Sequence, residues 1–269
     1  MSSKLQKLRE LREEINLKIN GIDNMPIDEP VLIVANHNCL MDIFYLPASL
    51  NVDIVSVISP RLIYKKDNER QQKITTYLNA MPIEAHGGKK YADLCLEQAS
   101  KLLCNGLNVS IFPEGAYIDD LKTVYRGRTG ASRILFSCKD KKVTPYLIPV
   151  AIDIKSKNLE LDNYNPTDDE VTVSILRPID YEDDYYNYVN SSSFDLKNRF
   201  LHIPVDNSLR CIAECLNRNY SNDYIELYKK NNVIFSDGTI IPVEDAQSDF
   251  YFSKYKSELE ERTKIFIKK

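Results

Sequence analysis

The chain has 269 residues, of which 43% are hydrophobic and 28% charged, and its formal net charge is −4. These values are ordinary for a globular protein with a sizeable core, and they argue against a nucleic-acid-binding role. Because no secretory signal and no apolar run approaching about 18 residues is visible, we predict a cytoplasmic protein without a membrane-spanning helix.

The N-terminal stretch has the periodicity of an amphipathic helix. Apolar residues at positions 5, 8, 11, 15 and 19 share one face of a helix predicted from Ser2 to about Asn20, and Gly21 ends it. We assign residues 1–24 to this helix and expect the apolar stripe to pack on the following domain. A helix on a membrane surface is the alternative. Packing is favoured because the stripe lacks aromatic residues and the segment contains many acidic ones.

A buried strand is predicted at Val31–Val34, where four apolar residues, three of them β-branched, follow one another. The strand runs into Asn36 and His37, and Asp42 follows at the start of an apolar helix. Residues five apart on a helix point about 140° away from each other, so His37 can reach Asp42 only from a turn before the helix. A carboxylate on one ring nitrogen would fix the imidazole tautomer there and leave the other nitrogen to take a proton.

A second apolar strand, Val109–Phe112, ends in Pro-Glu-Gly at positions 113–115. Alone, the spacing of His37 and Asp42 also fits a half-buried histidine beside an unrelated carboxylate. The two motifs in this order resemble the glycerolipid acyltransferase family, the PlsC-like enzymes that acylate lysophosphatidic acid and glycerol phosphate. The segments 127–132 and 147–152 fit the same family, and the resemblance covers roughly residues 28–180.

The resemblance implies that His37 is the general base on an acceptor hydroxyl or amine and that Asp42 orients its ring. Glu114 would shape the acceptor site or hold a basic side chain, and backbone N–H groups near Gly115 or a basic side chain would stabilise the oxyanion. The implied donor is a fatty acyl thioester, either acyl-CoA or acyl carrier protein. No metal or redox cofactor is implied, and Cys39 is expected to line the site because these enzymes form no covalent intermediate there.

The chain departs from the family where an acceptor phosphate is normally held. The usual arginine of the second motif is replaced by Glu84-Ala85-His86, and Ala116-Tyr117 stands where most members continue with threonine and arginine. A phosphate would therefore need other basic side chains, namely Lys89, Lys90, Arg126, Arg128 and Arg133. The same side chains also fit a solvated surface. The departure favours an alternative acceptor, a non-phosphate hydroxyl or amine on a specialised lipid or secondary metabolite.

Further elements follow from periodicity and turn signals. Strands are predicted at 52–58 and 171–179, and a hairpin with an Asp-Gly turn at 233–241. Helices are predicted at 91–105, 206–230 and 250–269, the second of them either continuous or broken at 221–223. The acidic, tyrosine-rich segment 181–190 is predicted to be an exposed loop.

Together these elements predict a three-layer α/β/α domain with a mixed, mostly parallel sheet, an N-terminal helix, and helical and hairpin additions at the C-terminus. The acyltransferase-like domain is placed at residues 25–205, with 206–269 packed on it. The predicted function is transfer of a fatty acyl group to a hydroxyl of a lysophospholipid or glycerol phosphate, in the cytoplasm or in peripheral contact with the inner face of the membrane. A non-catalytic lipid-binding protein on this fold is a further alternative, which the intact His37, Asp42 and Glu114 disfavour.

Overall fold

A computed structural model describes residues 3–50, 52–64, 77–84, 88–116, 121–155, 170–225 and 232–268. The strands in these ranges are β1 (Asn16–Asn20), β2 (Val31–Ala35), β3 (Ile54–Ile58), β4 (Asn79–Pro82), β5 (Asn108–Ile111), β6 (Thr123–Tyr125), β7 (Tyr146–Lys155), β8 (Glu170–Ile175), β9 (Asn219–Ser221), β10 (Asn232–Ile234) and β11 (Ile240–Pro242). The helices are α1 (Ser3–Glu14), α2 (Asp42–Ser49), α3 (Pro60–Tyr64), α4 (Lys89–Cys104), α5 (Gly130–Asp140), α6 (Glu182–Asn190), α7 (Phe194–Leu216) and α8 (Asp249–Ile267).

The main sheet has the strand order β1-β8-β7-β2-β5-β3-β4. Strands β7 and β8 pair antiparallel and every other neighbouring pair in this sheet is parallel. The carboxyl ends of β2, β5 and β7 therefore lie at one edge of the sheet, where open α/β sheets place their ligand sites. The small strands form two separate pairs, β6 with β9 and β10 with β11.

The central strand β2 is buried on both faces, which explains its uninterrupted apolar sequence. Leu32 and Val34 belong to the core shared with α4, α5, α7 and α8, whereas Val31 and Ile33 belong to the core on the side of α1 and α2. Successive side chains of a strand point to opposite faces, so a single apolar run supplies both cores. The predicted three-layer α/β architecture with a mixed, mostly parallel sheet is confirmed.

The N-terminal helix is shorter than predicted. It ends at Glu14, and residues predicted to continue it to Asn20 form β1, which pairs parallel with β8. In this strand Leu17 and Ile19 are half-buried and alternate with exposed polar residues. The pairing with β8 overrides the helical periodicity, because the period-2 pattern places Leu17 and Ile19 on one side of the strand. The expected packing of the stripe is confirmed, since Leu5, Leu8 and Ile15 are buried.

The prediction of an exposed loop at 181–190 is wrong, because this segment forms α6. Its first turn carries three acidic residues, Glu182, Asp183 and Asp184, which favour a helix N-terminus electrostatically. Tyr185 and Tyr188 then contact the ring of Phe136 on α5, with centroid distances of 5.4 and 5.1 Å. The tyrosines that looked like surface residues therefore hold the helix to the domain.

Helix α7 begins earlier than the predicted helix at 206–230 and ends before the break considered at 221–223, while residues 226–230 of that prediction lie outside the described residues. It starts after Ser193, whose hydroxyl accepts the N–H of Leu196, and it contains Pro204. It ends at Leu216, and the following residue, Asn217, adopts a left-handed conformation with φ of 53°. The predicted division between residues 205 and 206 falls inside this helix, and Tyr220 lies on β9.

The remaining predicted elements agree in type with the structure. The structure contains strand β3, helix α4, the β10–β11 hairpin and helix α8. Gly106, which follows α4, has a φ of 80°. In the part of the chain that the structure describes, no helix combines the length and apolar character needed to cross a membrane.

Tyr255 on α8 attaches the C-terminal helix to the end of β4. Its buried hydroxyl accepts the N–H of Glu84 and donates to the carbonyl of Pro82, both at 3.1 Å. We expect Tyr255→Phe to lower the free energy of unfolding by about 1–3 kcal/mol, because it removes two buried hydrogen bonds to the backbone. Chemical denaturation measures this change. The exposed Tyr186 provides the control, since Tyr186→Phe should change stability by less than about 0.5 kcal/mol. Equal effects of the two substitutions would contradict this account of α8.

Candidate active site

The turn between β2 and α2 is organised around the carboxylate of Asp42, the first residue of α2. Asp42 is fully buried, and its Oδ2 accepts the backbone N–H groups of Asn38 at 2.5 Å and Cys39 at 2.9 Å. A buried carboxylate needs such donors to offset its lost hydration, and the α2 N-terminus adds a favourable dipole. The carboxylate and the turn therefore fix each other's position.

His37 lies in this turn, as the five-residue spacing requires. Its Nδ1 is 3.0 Å from Asp42 Oδ2, and its ring stacks on Phe112 at a centroid distance of 4.5 Å. With Asp42 ionised, the proton of a neutral imidazole resides on Nδ1, and Nε2 carries the lone pair. The side chain is 12% exposed, so it lies at the boundary between core and solvent. This geometry suits an imidazole that takes a proton from a bound substrate.

Two asparagines flank His37 and attach the turn to β7. The amide of Asn36 donates to the carbonyl of Ile152 at 2.9 Å and accepts the N–H of Ile152 at 2.8 Å. The Asn38 amide nitrogen donates to the same carbonyl at 2.9 Å. Both side chains are buried, so these bonds satisfy polar groups that water cannot reach. The end of β2 is thereby held beyond the last backbone pairing of the strand.

Glu114 joins the second motif to the first through the backbone. Its two carboxylate oxygens accept the N–H of His37 at 2.8 Å and the N–H of Tyr125 at 2.9 Å. The side chain is 3% exposed, and burial raises its pKa from the ordinary value of 4.5 to about 7, although the two N–H groups and the charge of Arg218 oppose that rise. Glu114 thus positions His37 through main-chain contacts, which neither of its two predicted roles, shaping the acceptor site or holding a basic side chain, had included.

The turn that follows Glu114 uses a glycine for a conformational reason. Gly115 has a φ of 83°, a left-handed conformation that other residues adopt at a cost. Its N–H donates to the carbonyl of Phe112 at 3.2 Å. This particular N–H therefore closes the turn, although it was among the groups considered for an oxyanion.

Cys39 lines the site and is poorly suited to act as a nucleophile. The side chain is buried, its sulfur is 3.8 Å from Asp42 Oδ1, and burial together with that carboxylate raises the pKa of the thiol. A thiolate is the reactive form of cysteine, so this environment suppresses its reactivity.

Two of the five predicted anion-binding side chains lie on the loop that packs against the Phe-Pro-Glu-Gly turn. Arg128 donates its backbone N–H to the carbonyl of Pro113 at 2.8 Å, and its guanidinium faces the ring of Tyr224 at 5.7 Å. Arg126 follows Tyr125, and its guanidinium binds both carboxylate oxygens of Asp206, at 3.1 and 3.4 Å. Arg128 is exposed, whereas the charge of Arg126 is compensated within the protein.

The other three candidates contact different parts of the surface. Arg133 on α5 pairs with Asp93 on α4 at 2.5 Å. Lys90 is 3.7 Å from Asp249 and lies over the ring of Phe252, so it contacts α8. Lys89 lines the same surface region. The departures from the family pattern at Ala85, His86 and Tyr117 lie outside the described residues.

Arg218 is a site residue that the sequence did not identify. It follows α7, and its guanidinium donates to Asn38 Oδ1 at 2.8 Å and to Asp153 Oδ1 at 2.9 Å. A lone arginine far from both motifs carries no local signal, because only the packing of α7 brings it to the turn. The family pattern lacks its usual arginines here, and Arg218 is only one of many basic residues in the sequence that could replace them.

Two cavities differ in their relation to His37. A cleft of about 600 Å³ at the carboxyl end of β7 is lined in part by Lys122, Asp153, Lys155 and Arg218. Because Arg218 bonds to Asn38, this cleft adjoins the turn that holds His37 and Asp42. A cavity of about 360 Å³ between Tyr64 and α8 includes no residue of that turn. Among the described residues, no group of three or more His, Cys, Asp and Glu side chains is arranged to hold a metal ion.

Comparisons with known proteins place this geometry in context. The Acyltransferase family matches residues 16–153, just over half of the chain. Curated proteins give no match. Among solved structures, the 1-acyl-sn-glycerophosphate (LPA) acyltransferase PlsC from Thermotoga maritima is similar at 19% identity and a TM-score of 0.49, covering 77% of this chain and 79% of that chain.

The buried carboxyl of Glu114 predicts a distinct pH dependence of stability. Its pKa rises from 4.5 to about 7 on folding, so between these pH values the folded protein holds a proton that the unfolded chain releases. The stability contributed by this group is therefore greatest at low pH and is lost as the pH rises towards 7. Relative to Glu114→Gln, which cannot titrate, wild type should lose up to about 3 kcal/mol over this interval. Chemical denaturation at several pH values tests this, and a pH-independent difference would contradict it.

Proposed function

Because the chain belongs to the Acyltransferase family, we propose that it transfers a fatty acyl group from a thioester donor to a hydroxyl of a lysophospholipid or glycerol phosphate. The observation that carries this proposal is the 3.0 Å contact between His37 Nδ1 and Asp42 Oδ2, with the carboxylate held by two backbone N–H groups. Such an arrangement supplies an oriented general base. The donor is acyl-CoA or acyl carrier protein, because each presents the same thioester.

The proposed reaction is a direct transfer without a covalent enzyme intermediate. His37 Nε2 takes the proton of the acceptor hydroxyl while the hydroxyl oxygen bonds to the thioester carbonyl carbon. Asp42 stabilises the imidazolium that forms. Collapse of the tetrahedral intermediate breaks the carbon–sulfur bond, and the imidazolium returns the proton to the departing sulfur. The products are an ester and a free thiol, and the buried thiol of Cys39 takes no part.

For a phosphate-bearing acceptor, Arg128 is the proposed contact. It is exposed on the loop that packs on the Pro113 turn, and in the described part of the chain its guanidinium forms no ion pair. Its guanidinium contacts are the carbonyl of Ile225 at 3.4 Å and the face of Tyr224. A guanidinium in this state can offer its planar set of donors to a phosphate.

A specific observation also favours the second candidate, a non-phosphate hydroxyl or amine acceptor. Carboxylates neutralise the charges of two arginines close to the site, since Arg126 pairs with Asp206 and Arg218 with Asp153. Cations paired in this way have less attraction left for an anionic head group. The two acceptor classes share the same base and the same donor, so they differ only in which alcohol or amine is consumed.

A single assay distinguishes three hypotheses: a phosphate-bearing acceptor, a non-phosphate acceptor, and lipid binding without catalysis. The pure protein is incubated with acyl-CoA, and thiol release is followed on addition of lysophosphatidate, glycerol phosphate, or an uncharged analogue. Release with the phosphate acceptors supports the first proposal, and preference for the uncharged analogue supports the second. Lipid binding without any thiol release, with acyl carrier protein tested as the donor too, would contradict enzymatic function.

Removal of the base should abolish transfer and preserve the fold. His37→Ala is expected to lower turnover by about 10²–10⁴-fold, because general-base catalysis typically contributes that much. Asp42→Asn should reduce turnover by a similar or smaller factor through loss of ring orientation. Steady-state kinetics measure both effects, and circular dichroism verifies folding. A folded His37→Ala protein with wild-type turnover would show that the assignment of the base is wrong.

Arg128→Ala should raise the KM for lysophosphatidate about 10- to 100-fold, the effect of losing one charge-assisted contact to phosphate. The donor KM and the KM for an uncharged analogue should change little. Arg199, an exposed arginine of α7, supplies the control, and Arg199→Ala should leave all three constants near wild type. An unchanged KM for lysophosphatidate in Arg128→Ala would remove Arg128 from the acceptor site.

A further inference from the structure

The backbone around Arg218 is constrained from both sides. The N–H of Arg218 donates to the carbonyl of Ala213 at 2.9 Å, which closes the C-terminal end of α7 around the left-handed Asn217. On the other side, Asn219 begins β9 and donates its N–H to the carbonyl of Lys122 at 2.9 Å. Helix end and strand pairing together direct the arginine towards the carboxyl end of β7.

The guanidinium of Arg218 is enclosed between two acceptors. Nη1 donates to Asn38 Oδ1 and Nη2 donates to Asp153 Oδ1, and the side chain is only 5% exposed. A buried guanidinium is costly unless its donors are satisfied and its charge is compensated. The two contacts therefore favour a single position of the side chain, with little surface left to meet a ligand.

Asn38 passes this constraint to the catalytic pair. Its amide oxygen accepts from Arg218 while its amide nitrogen donates to the carbonyl of Ile152 at 2.9 Å, so the amide has one satisfied orientation. Its backbone N–H donates to Asp42 Oδ2, the oxygen that also contacts His37 Nδ1. Continuous hydrogen bonds thus run from Asp153 through Arg218 and Asn38 to the carboxylate that orients the base.

We propose that Arg218 is a positioning residue for the His37–Asp42 pair and acts through the side chain of Asn38. The inference rests on the proposed function and goes beyond it, since Arg218 lies outside the segment 16–153 that matches the family. The C-terminal part of the chain thereby contributes to the catalytic turn. An arginine suits this role because its planar fork reaches two acceptors at once, whereas a lysine offers a single point charge.

A double-mutant cycle between Arg218 and Asn38 tests the proposal. Arg218→Ala is expected to lower kcat about 10- to 100-fold, the range that a small misplacement of catalytic groups produces, with both KM values near wild type. In an Asn38→Ala background the same substitution should have little further effect on kcat. Arg218→Lys should give an intermediate kcat. Arg210→Ala, at an exposed arginine of α7, provides the control and should match wild type.

Several outcomes would overturn the proposal. Additive effects of Arg218→Ala and Asn38→Ala on kcat would show that Arg218 does not act through Asn38. A raised acceptor KM with unchanged kcat would instead make Arg218 a substrate contact on the cleft beside β7. If Arg218→Ala does not fold, the cycle is run with Arg218→Lys, where wild-type kcat would equally contradict the inference.

The same cycle measured on the free energy of unfolding separates this proposal from the proposed function. Coupling between Arg218 and Asn38 in stability is independent of any assay. If the two residues are coupled in stability but the wild-type protein releases no thiol, acyl transfer is contradicted while the contact between Arg218 and Asn38 is supported. Thiol release by wild type without coupling in kcat would contradict the positioning role alone.

Discussion

The hydrogen bonds to the carboxylate of Asp42 are the constraint on which the site depends. The group is fully buried. One of its oxygens, Oδ2, accepts hydrogen bonds from the N–H groups of Asn38 and Cys39 and also contacts His37 Nδ1. Charge-assisted hydrogen bonds of this kind are the strong ones, and an uncompensated carboxylate in this position would be very unfavourable. The five-residue spacing of His37 and Asp42 is therefore a requirement of the fold, whatever chemistry the pair performs.

The rest of the fold supplies the surroundings that keep this turn in place. Asn36 and Asn38 fasten it to β7, and Glu114 fastens the backbone of His37 to the loop at Tyr125. Helix α7 then covers that loop closely. A Cβ atom on Gly127 would come within 2.5 Å of Val205, so the approach of α7 requires a glycine there. This packing also delivers Arg218 to Asn38.

The parts of this structure that the sequence predicted are those determined locally. The spacing of His37 and Asp42 restricts the histidine to a turn, the apolar run of β2 requires burial on both faces, and the motif order identified the acyltransferase family that residues 16–153 match. The contact between Glu114 and the His37 backbone was not predicted. A carboxylate in a turn can bind main chain or side chain, and only the tertiary structure decides.

The errors have a common physical origin in long-range contacts. Strand β1 was predicted as helix because its partner β8 lies about 150 residues later. Helix α6 was predicted as a loop because the packing of Tyr185 and Tyr188 on Phe136 is a tertiary contact without a local signal. The beginning of α7 is the exception, because it was missed for a local reason: Pro204 resembles a helix boundary. Arg218 was missed because of long-range contacts, since its two acceptors, Asn38 and Asp153, are remote in sequence.

The most direct test of the central claim is the tautomer of His37, which nitrogen-15 NMR of the imidazole rings reports. The chain contains three histidines, so the signals of His37 are assigned by their loss in His37→Ala. With Asp42 as acceptor, the neutral ring should carry its proton on Nδ1 and show Nε2 as the unprotonated nitrogen. Asp42→Asn should weaken that preference. A wild-type ring protonated on Nε2 would contradict the account, because that nitrogen could not then take a proton from an acceptor.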